Sequence, residues 1–214
     1  MKALSIPTVG CLCLALVACS SAPARHLAKP ETIPAEGSYT HAASGMNFPA
    51  AVGDFRRVTL LRYDSETRDV SAYYFMPAPS GGIAATVYVD PAPPLVPVGT
   101  PADLPAARAI SCESEVDRRK REIYNLHPSA KLLQEKDVSL VQGGASHRGK
   151  AAEFDYDDVF GGQRQTLHAE VYLFCYVGRS WALEYRFTTP KTFDVGGRIA
   201  AFMKTLPWTV AAGS

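Results

Sequence analysis

Over residues 163–190 the chain alternates with a period of two, and no other stretch restricts the fold as strongly. Leu167, Ala169, Val171, Leu173, Cys175 and Val177 fall on one side, and His168, Glu170, Tyr172, Phe174 and Tyr176 on the other. Successive side chains of a strand point to opposite faces, so this is a strand with two unlike faces. After Gly178-Arg179, the residues Trp181, Leu183, Tyr185 and Phe187 alternate with Ala182, Glu184, Arg186 and Thr188. Glycine at the first central position of a two-residue loop suits a type II′ turn. That register sets Tyr176 opposite Trp181, Phe174 opposite Leu183 and Tyr172 opposite Tyr185. One face becomes an aromatic stripe, the other an aliphatic surface around Cys175. Both are apolar enough to be covered, which places the hairpin inside a sheet rather than at its edge.

The rest of the chain supplies neighbours for this hairpin. Residues 55–63, 70–76 and 83–89 read as an antiparallel meander. Six prolines in residues 91–105 exclude a regular element until near the end of that stretch. From about residue 102 to 126 the pattern is helical, with Ala109, Cys112, Val116 and Ile123 forming the expected core stripe. The run Arg118-Arg119-Lys120-Arg121 is flanked by acids and reads as a solvated helix face. Residues 131–142 and 147–156 are two further strands, the second followed by an acidic, glycine-containing turn over residues 157–162. Val195, Ile199, Phe202, Met203 and Leu206 mark a closing helix that Gly196-Gly197 delays or packs closely. Trp208 is expected to fold back onto the domain, and residues 209–214 to fray. Three strands, a long helix, four strands and a final helix define an α+β protein. The expectation is a largely antiparallel sheet of about seven strands covered by both helices. Over about residues 48–208 this order and size resemble the PsbP-like fold, a topological likeness without a motif that implies no activity.

The first residues follow a different logic. Lys2 precedes an apolar run that is too short and too interrupted for a membrane span, but suits a signal peptide. It ends in Leu16-Val17-Ala18-Cys19, which resembles the lipobox of bacterial lipoproteins. The resemblance implies cleavage after residue 18, acylation of Cys19 and a membrane anchor through its acyl chains. Ser20 rather than Asp after the cysteine points to the outer membrane, facing the periplasm. Residues 19–47, rich in Ala, Pro, Ser and Gly, read as a flexible tether in which His26 and His41 are solvated, and folded structure is expected from residue 48 to 208. Without residues 1–18 the chain carries 21 Lys+Arg, the 22 of the whole less Lys2, against 21 Asp+Glu. This neutrality offers no electrostatic case for nucleic acid.

Candidate sites are few. If the long helix covers the aliphatic face of the hairpin, Cys112 and Cys175 can meet in a disulfide; otherwise they are two separate buried thiols. His168, Glu170, Tyr172, Tyr176, Trp181 and Tyr185 form a candidate binding surface on the aromatic face. Two ligand-type residues on that face are too few for zinc. Asp155, Asp157 and Asp158 before Gly161-Gly162 depart from a calcium loop, since Val159 and Phe160 occupy its fifth and sixth positions. No P-loop, dinucleotide fingerprint or nucleophile motif is present. The expected protein is therefore a non-catalytic, lipid-anchored binding or accessory module for a periplasmic protein partner, without metal or cofactor. The alternatives are a small-ligand carrier, or a hydrolase or metal-dependent enzyme using His147 or His168 with nearby carboxylates.

Overall fold

A computed structural model describes residues 26–79, 81–95 and 103–208; Cys19 and residues 209–214 lie outside them. The chain is α+β. Its order is β1 (His26–Thr32), β2 (Tyr39–Thr40), β3 (Asn47–Phe48), β4 (Ala51–Val52), β5 (Phe55–Asp64), β6 (Val70–Ala78), β7 (Gly81–Pro91) and α1 (Leu104–Leu126). There follow β8 (Lys131–Gln142), β9 (Ala145–Phe160), β10 (Gln163–Val177), β11 (Trp181–Pro190) and α2 (Arg198–Thr205). Among the described residues the main sheet has nine strands rather than seven, ordered β1-β5-β6-β7-β11-β10-β9-β8 with β4 paired to β5. Every pairing is antiparallel.

The seven expected strands are all there, arranged as two meanders that α1 connects. The crossing along α1 delivers the chain to the far edge, so β8 to β11 run back inward until β11 meets β7. The β10–β11 hairpin is thereby interior, as its two apolar faces require. At Gly161-Gly162 both residues have positive φ, which a two-residue type I′ turn demands.

Of the two extra strands, β4 lies within the expected domain, while β1 corrects the reading of residues 26–47 as a tether. Glu31 and Thr32 pair with Arg62 and Leu61 on the outer edge of β5. Pro30 is compatible with this because an edge strand has free N–H positions. His41 is wholly buried, with Nδ1 2.6 Å from Ser44 Oγ and Nε2 2.7 Å from the Thr67 carbonyl. A carbonyl only accepts, so Nε2–H donates to it and neutral Nδ1 accepts from the Ser44 hydroxyl. Burial lowers the His41 pKa, which agrees with that neutral form.

The sheet separates two cores. On one face α1 packs Val116 with Leu173 and Ala182, and Ile123 with Phe154, Leu167 and Val171. On the other face α2 packs Ile199, Phe202 and Met203 into a larger core with Tyr74, Phe174, Tyr185 and Phe187. Trp208 folds back as expected and donates from Nε1 to the Tyr185 hydroxyl at 2.5 Å. The α1 stripe is displaced from the expected one. Ala109 is exposed, and the buried positions are Ala107, Ser111, Val116, Arg119 and Ile123. An arginine thus occupies a core-facing place that apolar residues were expected to fill.

Candidate functional site

The hairpin register breaks at its tip. Phe174 faces Leu183 and Tyr172 faces Tyr185, but Val177 rather than Tyr176 opposes Trp181. Tyr176 and Arg179 take positive φ, the loop has three residues, and Arg179 N–H donates to the Tyr176 carbonyl. This bulge sends Tyr176 to the α1 side, where Arg108 lies 5.4 Å over its ring. The aromatic binding surface does not survive. Tyr185 is 0 % exposed and Trp181 8 %, both inside the α2-side core. Their aromatic area is spent on packing, since burying such rings is among the largest apolar gains a core can make.

The polar end of that face remains half exposed. Asp155 accepts from His168 Nδ1 at 3.0 Å and from Lys191 Nζ at 2.6 Å, and Tyr172 donates to Glu170. Burial pushes the Asp155 carboxyl up, but Lys191 and His168 outweigh it and hold it below its usual range. His147 does not join this group; its ring lies tilted against that of Trp208, with centroids 4.7 Å apart. The histidines therefore do not converge on one pocket. Cys112 and Cys175 do meet, as a disulfide with Cα atoms 5.8 Å apart.

A concave site lies elsewhere, between α1 and the sheet around β5, the β5–β6 turn and β7. It is an open cleft of about 800 Å³. One wall is the α1 surface bearing Glu115, Arg118, Arg119 and Glu122; opposite stand Tyr63, Asp64 and Asp69. Tyr88, Asp90 and Arg186 rise from β7 and β11, and Pro91, Pro93 and Pro94 rim it.

The cleft is built on a buried ion network. Arg119 pairs with Asp90 at 2.7 Å, Glu115 at 2.8 Å and Glu184 at 3.1 Å. Arg186 pairs with Glu184 and, at 2.8 Å, with Glu122. Arg118 bridges Glu115 and Glu122 along the helix. Glu184 is 0 % exposed, so its charge depends entirely on these two guanidinium groups. Asp90 Oδ1 is buried and takes no hydrogen bond among the described residues. Burial, only partly opposed by Arg119, pushes the Asp90 carboxyl up to about 7. Burial likewise raises Asp69, with Asp64 adding to the shift and Arg119 opposing it. Tyr88, which carries the Arg186 guanidinium 4.9 Å over its ring, is pushed up to about 12, chiefly by burial.

Sequence reasoning passed over this cleft, reading Arg119 as part of a solvated face. The usable signal was Glu184 and Arg186 at alternate positions of an interior strand. Two charges on a covered face require partners on whatever covers it, and only the acidic and basic run of α1 supplies them. Asp69 and Asp90, in a turn and beside the prolines, carry no such signal.

In class, then, this is an α+β sheet domain with a charged cleft under its long helix. No protein-family model matches the chain, and no curated protein matches it.

Proposed function

We propose that this protein is a non-catalytic binding module, anchored by acylated Cys19 to the outer membrane, facing the periplasm and engaging a protein partner through the α1 cleft. The observation that carries the binding reading is the cleft itself: an open concavity of about 800 Å³ on a framework of cross-linked elements. Its charged groups hold one another in place, and such preorganisation lowers the ordering cost of binding. The disulfide is consistent with an oxidising compartment such as the periplasm. The strand and helix order supports the finer reading of the fold as PsbP-like. An open, charged cleft favours a polypeptide partner over an apolar cargo, which a closed apolar cavity would suit.

The test is crosslinking of envelopes from cells carrying the wild type, Cys19→Ala or Asp69→Lys, followed by affinity capture and mass spectrometry. The expected result is a partner recovered with the wild type and lost with both variants, alongside acyl labelling that Cys19→Ala abolishes. Recovery of the same partner by Asp69→Lys would remove the cleft from the proposal, and labelling of Cys19→Ala would remove the anchor.

A further inference from the structure

Resting on the cleft as the binding site, its charge inventory identifies what it takes. The described residues place four guanidinium groups at the cleft, those of Arg68, Arg118, Arg119 and Arg186. Against them stand the carboxyl groups of Asp64, Asp69, Asp90, Glu115 and Glu122, with Glu184 directly behind. Six carboxyl groups against four guanidinium groups and the His26 imidazole leave an acidic excess of at least one.

The excess is localised. Arg118, Arg119 and Arg186 are committed to Glu115, Glu122, Asp90 and Glu184. Asp64 is spoken for locally, accepting the Arg68 backbone N–H at 2.8 Å. The Asp69 carboxylate takes no hydrogen bond or ion pair among the described residues, although it lines the cleft and is half-buried. A carboxylate drawn from water without a partner is unfavourable, and a cation beside it removes that penalty. A second vacancy has the same sign, because Asp90 Oδ1 also lacks a donor. Burial raises both carboxyl groups, and a further cation beside either would offset that cost. The Tyr63 and Tyr88 rings, 6.2 Å apart, line the same cleft as Asp69. Arg186 over Tyr88 shows that such a ring accepts a guanidinium here.

We propose that the cleft binds a lysine or arginine side chain of a partner polypeptide, its cationic head seated against Asp69 beside the Tyr63 and Tyr88 rings. The cleft is far larger than one ammonium group, so flanking residues of the partner also find room.

The probes are tri-arginine and tri-glutamate peptides capped at both ends, and spermidine as a free polyamine. Each is titrated against the full chain and its Asp69→Asn and Asp69→Glu variants. The Asp69 side chain bonds to nothing in the framework, and its backbone carbonyl, which accepts from Tyr63 N–H, is unchanged by substitution, so both variants are expected to fold, which circular dichroism checks. Tri-arginine is expected to bind, with affinity about tenfold lower or worse in Asp69→Asn and largely restored in Asp69→Glu, in line with loss of one charge-assisted contact. Equal affinity for Asp69→Asn, or tighter binding of tri-glutamate, would overturn the assignment. Spermidine binding as tightly as tri-arginine would overturn the polypeptide source. If tri-arginine fails to bind while Asp69→Lys still abolishes partner capture, the cationic assignment falls and the binding-module reading stands.

Discussion

Arg118 and Arg119 are sequence neighbours with opposite fates, and their difference is measurable. Arg119 is 9 % exposed at its side chain and pairs with three carboxyl groups; Arg118 is 45 % exposed. Removing one partner of a buried ionic group strands the others without solvent. Arg119→Ala is therefore expected to lose about 3–5 kcal/mol in urea unfolding. Arg118→Ala, an exposed pair, is expected to lose less than about 1 kcal/mol. Comparable losses would contradict the network as described. Asp90 makes a second prediction with a definite sign. Its folded pKa of about 7 lies above its ordinary 3.8, so the folded state holds the proton more tightly than the unfolded state. Stability contributed by that proton is present below the ordinary value and declines as pH rises towards 7. Between pH 4.5 and 7.5 Asp90 removes stability as pH rises, while His41, whose pKa burial lowers, adds it. The wild type should therefore lose more stability, or gain less, than Asp90→Asn over that range. An unchanged slope in Asp90→Asn would remove Asp90 from the titration.

At the scale of elements, α1 is a polar helix held down by few apolar residues. Only Ala107, Val116 and Ile123 among its apolar side chains are buried. The disulfide to β10 and the Arg119 network fasten it, about one turn before and one turn after its midpoint. The cysteines are 63 residues apart, a loop for which chain-entropy reasoning assigns about 4 kcal/mol. Replacing both by serine should lower the unfolding free energy by that order and expose α1 amides to hydrogen exchange before those of β10 and β11. If α1 kept its protection in the double variant, the ion network alone would suffice. The β9 strand carries a different constraint. A Cβ on Gly149 would lie 2.5 Å from the Leu173 carbonyl oxygen and 2.6 Å from the Phe174 ring. Gly149→Ala is expected to destabilise by about 1–3 kcal/mol through overpacking, read from its denaturation midpoint.

Across the whole molecule, the larger core depends on α2 closing over the sheet. Phe202 makes edge contacts with Phe55, Tyr74, Tyr185 and Phe187, which come from three strands, β5, β6 and β11. Gln142 Nε2 fixes the end of the helix by donating to the carbonyls of Met203, Lys204 and Leu206. Phe202→Ala should cost about 3–5 kcal/mol in thermal or urea unfolding; a cost below about 1 would mean that α2 is only loosely docked. What the sequence by itself determined is the seven strands from β5 onward, the two helices and the interior place of the β10–β11 hairpin, because side-chain periodicity is a local property of the backbone. It also brought Cys112 and Cys175 to opposing faces, where a bond was one of two outcomes. Tertiary structure decided the rest. Residues 26–32 became a strand only because β5 offered a free edge, and His41 was buried only because Ser44 and Thr67 met both its ring nitrogens. A one-residue bulge parted Tyr176 from Trp181, and α2 turned the aromatic stripe from surface into core. The cleft draws Tyr63, Asp69, Asp90, Arg119 and Arg186 from five separate segments. Burial and mutual neutralisation are sums over neighbours in space, and no window along the chain contains those neighbours.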